Sequence, residues 1–235
     1  MEQEYIGDEL SLFENANNWK AYWSSFLAPY LKGDVLEVGA GLGGTTQALK
    51  GYDVTSWICL EPDAALVAEL NKKIKAGLIS DRTAVITGTL SDVSTDRKFD
   101  CIMYIDVIEH IEDDKAELAH AAQFLKPGGI LFVLVPAHQW LYSPFDKAIG
   151  HYRRYNKSML RNAGPESLHL EKIKYLDSAG LSASTVNKLF LKQSMPTLAQ
   201  IKFWDRTIVP VSKLLDPLTA YLMGKSLIAV WKNKE

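Results

Sequence analysis

Residues 35–44, Val-Leu-Glu-Val-Gly-Ala-Gly-Leu-Gly-Gly, constrain this chain more than any other segment. A short apolar run enters a turn in which glycine holds positions 39, 41, 43 and 44. Glycine removes the Cβ atoms that keep a ligand off the backbone, and it permits positive φ where the chain reverses. The pattern predicts a strand, a tight turn and a helix over about 43–50. The first N–H groups and the positive dipole end of that helix face whatever lies over the turn. Residues 56–60 read as a second apolar strand ending in Glu61, placed to accept hydrogen bonds from ribose hydroxyls. A nucleoside-bearing ligand is expected at this edge, although an ordinary tight strand-to-helix turn would carry the same glycines.

Gly39-x-Gly41-x-x-Gly44 satisfies a dinucleotide fingerprint, which is a weak signal alone. Glu37 adds a negative charge beside the turn, unhelpful near a pyrophosphate and useful near an ammonium or sulfonium. Glu37-x-Gly39-x-Gly41-x-Gly43 resembles the first motif of class I S-adenosylmethionine-dependent methyltransferases. Phe99-Asp-Cys-Ile-Met-Tyr-Ile-Asp106-Val-Ile-Glu-His110-Ile is similar to the family's fourth strand and the loop after it. Leu125-Lys-Pro-Gly-Gly-Ile-Leu-Phe-Val-Leu-Val135 is similar to its turn into strand five, so the resemblance covers roughly residues 33–136.

That resemblance implies an α/β fold: a doubly wound, seven-stranded Rossmann-like sheet with a C-terminal antiparallel hairpin and helical insertions. It implies S-adenosyl-L-methionine as cofactor, held by Glu37, Gly39, Ala40, Gly41, Gly43, Thr45, Glu61, Pro62, Thr89, Leu90, Asp106 and Val107. One departure concerns adenine. The family often has an acidic residue after strand three, where this chain has Thr89 and Leu90.

Hydrophobic patterning agrees with such a sheet. Nearly continuous apolar runs at 34–38, 57–60, 83–87, 100–105 and 130–135 alternate with helical segments, notably 63–76 and 112–125. A single domain over 1–235 is expected, with an aromatic-rich helical cap over 1–31 and a cofactor-binding core over 33–136. An acceptor-loop region follows over 137–165. A helical insertion over 177–225 separates strands at 168–176 and 226–232, and its apolar positions include Leu189, Phe190, Leu191 and Met195. The cap either lies over the mouth of the crevice or packs on the sheet.

Charge is unevenly divided. Residues 1–150 carry 12 Lys and Arg against 22 Asp and Glu, whereas residues 151–235 carry 14 against 6. The C-terminal third therefore either faces something anionic or simply solvates its own surface. No run reaches the roughly 18 apolar residues of a membrane span, and the acidic N-terminus lacks the form of a secretion signal. The two cysteines, Cys59 and Cys101, read as free core thiols of a reducing cytoplasm. Localisation is expected to be cytoplasmic, with peripheral contact at the inner membrane face through 186–225.

Methyl transfer asks the protein mainly for alignment, desolvation and, where needed, proton removal. His110 after strand four and His151 in the acceptor loops are the candidate catalytic residues, because imidazole titrates near neutral pH. A packed histidine is the alternative for His110, and a helix N-cap is the alternative for Asp106. Candidate acceptor contacts are His138, Tyr142, His151, Arg153, Arg154 and Tyr155, with the arginines forking onto a carboxylate or phosphate. A salt-bridged loop would use the same residues.

No metal is expected, since Ala137-His138 stands where metal-dependent catechol-type relatives carry an acidic and amide pair. No nucleic acid is expected either, since Asp106-Val-Ile-Glu replaces the motif of amino-methylating nucleic-acid enzymes. No obligate protein partner is evident. The leading reading is methyl transfer to a small-molecule acceptor, anionic or lipid-linked. The alternatives are a nucleotide-dependent oxidoreductase and a non-catalytic adenosyl-ligand binding module.

Overall fold

The computed structural model describes residues 9–188 and 196–234. Leu189, Phe190, Leu191 and Met195 of the expected insertion therefore lie outside the described residues. Seven strands form one sheet in the order β3-β2-β1-β4-β5-β7-β6. They are β1 (Gly33–Val38), β2 (Val54–Glu61), β3 (Thr83–Thr87), β4 (Phe99–Ile105), β5 (Leu125–Pro136), β6 (Leu168–Leu176) and β7 (Ser226–Asn233). The first five are mutually parallel, and β7 runs antiparallel between β5 and β6.

Alternate residues of each central strand feed two cores. Leu36, Ile58, Ile102, Leu131 and Ala229 fill one face, while Val35, Trp57, Cys101, Phe132 and Val230 fill the other. Burial on both faces is why these strands read as unbroken apolar runs rather than alternating ones. Cys59 and Cys101 are buried free thiols within them. β5 begins at Leu125, five residues before the expected 130, because a register shift between Phe99 and Cys101 absorbs the Pro127-Gly128-Gly129 turn.

Helices α3 (Gly44–Ala48), α4 (Ala64–Lys75) and α5 (Asp114–Ala122) link the parallel strands. Asp63 caps α4 by accepting from the N–H groups of Ala65 and Leu66, and Asp113 caps α5 through Ala116. These caps set starts slightly inside the segments read from sequence. Before the sheet lie α1 (Glu9–Phe13) and α2 (Asn17–Leu27). Both packings considered for the cap occur. Trp19, Tyr22, Trp23 and Leu27 bury α2 on the sheet, while Leu10 of α1 lies over the glycine turn.

After β5 come the short α6 (Pro144–Ala148) and α7 (Lys157–Ala163). Between β6 and β7 the described chain forms α8 (Ser178–Val186), α9 (Leu198–Phe203), a π-helical stretch at Trp204–Ile208 and α10 (Val209–Leu218). Buried carboxylates join this insertion to the cap. Asp216 accepts from Tyr22 Oη at 2.7 Å and from the N–H groups of Asp177 and Ser178 at 2.7 and 2.9 Å. Asp177, itself at φ 68°, accepts from Trp204 Nε1, Ser212 Oγ and the Gly180 N–H. No helix among the described residues is long and apolar enough to cross a membrane.

Candidate active site

The sheet changes winding direction between β1 and β4, and ligands of doubly wound folds bind at the carboxyl ends on either side of such a point. Gly39, Gly41 and Gly43 have φ of 69°, 54° and 74°, conformations that L side chains rarely adopt. A Cβ on Gly39 would lie 2.6 Å from Val107 Cγ2, whereas one on Gly41 would meet nothing nearer than Leu10 methyls at 3.4 Å. Val107 therefore wedges the turn, and Gly41 leaves a bare peptide edge. Lys73 fixes the turn from behind, bonding the Leu42 carbonyl at 2.6 Å and the Glu14 carboxylate.

Glu61 ends β2 beside that edge. Its Oε2 accepts from the Gly41 N–H at 2.8 Å and its Oε1 from the Asp63 N–H at 3.0 Å, and burial raises its pKa. Ala40 is buried in the turn, Thr45 stands in the first turn of α3, and Pro62 follows Glu61. Beyond β3, Leu90 is buried and Thr89 is exposed. Asp92 accepts from both the N–H and the hydroxyl of Thr89, closing a capping box on the turn at Leu90–Asp92.

Glu37 is tied into the fold through one carboxylate oxygen. Its Oε2 accepts from Thr46 Oγ1 at 2.6 Å and Trp57 Nε1 at 2.9 Å, which anchors α3 to β1 and β2. Complete burial pushes its pKa up to about 7. Cys59 Sγ lies 3.8 Å from the same oxygen.

At the end of β4, Asp106 takes φ 54° and is exposed. Surrounding protein raises its pKa, while His151 and Lys225 oppose the shift. Asp113, not Asp106, caps α5. Glu109 and His110 follow on a 3-10 turn. Glu109 is fully buried, and neither carboxylate oxygen has a hydrogen-bond partner. Burial and repulsion from Asp106 hold its pKa well above the ordinary carboxylate range. Burial pushes His110 down to about 4, helped by His151, whose ring it meets edge-on at 4.5 Å between centroids.

His151 reaches this cluster from the loop after α6. Its Nδ1 lies 2.9 Å from Asp146 Oδ1, and its Nε2 lies 3.8 Å from Glu109 Oε1. Burial works against the charge of Asp146, yet hydrogen bonds from His151 and Arg154 outweigh it and hold the carboxyl well below its usual range. An ionised Asp146 can only accept, so His151 carries its proton on Nδ1 and presents Nε2 to the cluster.

The other acceptor-loop residues have partners within the fold. Arg154 forks onto Asp146 through Nε at 2.7 Å and Nη2 at 2.9 Å, and Arg153 pairs with Asp114 at 2.8 Å. Tyr155 is buried and donates to Asp114, Tyr142 donates to the His151 carbonyl, and His138 stacks on Tyr175 and bonds the Gly224 carbonyl. Both arginines, expected to grip an acceptor anion, are engaged by carboxylates of the fold, Asp146 fully buried and Asp114 partly so. Sequence reading missed Asp146 and Asp114. Ser143-Pro-Phe-Asp146 carries the capping-box spacing that could have flagged the first, and both halves of that box are formed.

The profile of a family described as "Methyltransferase domain" matches residues 14–183, and the chain belongs to this family of class I S-adenosylmethionine-dependent methyltransferases. A mitochondrial ubiquinone biosynthesis O-methyltransferase of Dictyostelium discoideum is 23% identical over 139 residues, covering 55% of this chain and 42% of the relative. A ubiquinone biosynthesis O-methyltransferase of Xylella fastidiosa is 37% identical over 102 residues, covering 42% and 40%. The chain thus spans about two-fifths of the length of these relatives. Among solved structures, a phosphoethanolamine N-methyltransferase 2 of Haemonchus contortus with S-adenosyl-L-methionine shares the fold. It aligns at TM-score 0.64 and 14% identity over 96% of this chain and 56% of that one. A methyltransferase of Clostridium acetobutylicum aligns at TM-score 0.60 and 11% identity over 94% and 93%. S-adenosylmethionine is the cofactor this family implies, and the bare edge at Gly41 with the adjoining Glu61 carboxylate suits its ribose.

Proposed function

We propose that this methyltransferase acts on a hydroxyl of a small, largely apolar acceptor met at a lipid surface. The supporting observation is the neighbourhood of two sites at adjoining strand ends. The glycine turn and Glu61 end β1 and β2, and Asp106, Glu109 and His110 follow β4, where His151 meets them from the loop after α6. The cofactor, when bound, supplies an electrophilic methyl group on a sulfonium. Glu61 holds ribose hydroxyls, the Gly39–Gly43 backbone lies against the cofactor, and Asp106 faces its charged end. His110 and His151 meet the acceptor hydroxyl and manage its proton, with Asp146 fixing the ring of His151. The O-methyltransferase relatives support oxygen as the acceptor atom.

The lipid surface is argued from the insertion. Val211, Leu214, Leu215 and Leu218 share the outer side of α10, Leu222 is exposed just beyond the turn that ends it, and Leu214 and Leu218 are 74% and 82% exposed. Val209, Ser212 and Asp216 bury the opposite side. Lys202, Arg206 and Lys213 stand exposed nearby, which suits an anionic bilayer. Incubation with methyl-labelled S-adenosylmethionine and fractionated lipid extracts tests the reading. Label should enter an apolar, base-stable ether product. Label found only in water-soluble amines would overturn it.

A further inference from the structure

Lys225 immediately precedes β7, where that antiparallel strand meets the carboxyl end of β5. Its carbonyl accepts from the Ala137 N–H at 2.8 Å, and the Asp106 N–H bonds the Leu134 carbonyl at 2.9 Å. Asp106, Ala137 and Lys225 therefore stand in a row along the ends of β4, β5 and β7. The Lys225 side chain is half-buried, and its ammonium lies 4.2 Å from the centre of the Trp204 ring. Trp204 belongs to the insertion and is pinned by its Nε1 bond to Asp177 at 2.8 Å, so the indole forms a fixed wall beside the charge.

Among the described residues no carboxylate comes within ion-pair distance of this ammonium, whereas Lys126, Arg153 and Arg154 each have one. Burial lowers the pKa of Lys225, Asp177 and Asp106 pull the other way from a distance, and Arg154 adds repulsion. A cation drawn out of water without a counter-ion is costly, and a ring face replaces only part of its hydration. We propose that Lys225 binds an anionic group, a carboxylate or a phosphate, that the methyl acceptor carries beside its reacting hydroxyl. This rests on the methyltransferase reading and narrows its acceptor to an apolar body with a charged group. Lys225 takes the task expected of Arg153 and Arg154, which Asp114 and Asp146 already hold. Asp106 and Lys225 then divide the edge by charge. The carboxylate suits the cationic end of the cofactor and the ammonium suits the acceptor anion, so each ligand is turned away from the other's place.

Calorimetry on the full chain, with and without S-adenosylhomocysteine, uses benzoate and phenyl phosphate as probes and benzyl alcohol as the neutral control. At least one anion should bind about tenfold more tightly than the alcohol, as a charge-assisted contact allows. Which anion binds better tells a carboxylate acceptor from a phosphate one. Lys225→Met should abolish the preference and Lys225→Arg should restore it. Lys225→Met should also melt no lower than the parent, because no carboxylate loses a bonded partner. Equal binding of anions and alcohol, no binding of any probe, or a preference kept in Lys225→Met would overturn the proposal. So would failure of both Lys225→Met and Lys225→Gln to fold, since the lysine would then be holding the structure. The thermal shift given by S-adenosylhomocysteine is read separately. Its absence would count against the methyltransferase reading, while the anion preference of the protein alone still decides the role of Lys225.

Discussion

Asp205 accepts the backbone N–H of Trp19 at 2.9 Å across 186 residues of sequence. It also takes the N–H and side-chain amide of Asn18, so it caps α2, whose own Ala16 offers no side-chain cap. A carboxylate at this point meets both the unpaired N–H groups and the positive end of the helix. The cap over the glycine turn is therefore fastened by the insertion before β7.

Asp205→Ala should lower stability by about 1–2 kcal/mol, the usual loss for a removed cap. Because Asp205 caps α2 and its neighbour Trp204 packs on Phe13 of α1, proteolysis should begin within the cap before the sheet is attacked. Denaturant melts together with limited proteolysis check this. An unchanged melt would show that α2 does not depend on Asp205.

Arg154→Ala separates a structural arginine from an acceptor-binding one. Asp146 is fully buried, and its two bonds from Arg154 would go unreplaced. Removing one partner of a buried pair costs about 3–5 kcal/mol. The variant should melt markedly lower than the parent. A parent-like melt with impaired acceptor affinity would restore the anion-binding reading.

How far the sequence could be read follows from the range of each interaction. The β1 turn, the five parallel strands and the β6–β7 hairpin were legible because local patterning decides them: glycines where φ is positive, apolar runs where both sheet faces are covered. The acceptor end was legible only in part. His110 and His151 stood out as residue types, but their partners did not. Arg153 sits 39 residues from Asp114, and Asp205 sits 186 from Trp19, so no local spacing announces either contact. Glu37 shows the converse: its motif position was plain, while its bonds to Thr46 and Trp57 depend on packing.

Glu37 also predicts a pH dependence. Its folded pKa of about 7 lies above the ordinary value of 4.5, so the folded state binds the proton more tightly than the unfolded state. Its favourable contribution is complete below about pH 4.5 and falls away as pH rises to about 7, then levels off. Glu37→Gln keeps one oxygen for Thr46 and Trp57 and carries no charge. The variant should match the parent near pH 4 and exceed it above pH 7 by up to about 2–3 kcal/mol. Urea melts at the two pH values give the comparison, and a constant difference between them would refute it.

The exposed leucines of α10 and the turn after it yield a prediction that leaves the core intact. Leu214, Leu218 and Leu222 are all largely exposed, so replacing them removes little buried apolar area. The triple variant L214S/L218S/L222S should melt within about 0.5 kcal/mol of the parent, as surface changes usually do. Vesicle binding should fall sharply, because these side chains provide the apolar insertion while Lys202, Arg206 and Lys213 provide only a salt-sensitive attraction. The two contributions separate by experiment. Raising salt should release the triple variant from anionic vesicles completely and the parent only in part. Equal release of both proteins would mean that the leucines never enter the bilayer and that this face serves some other purpose.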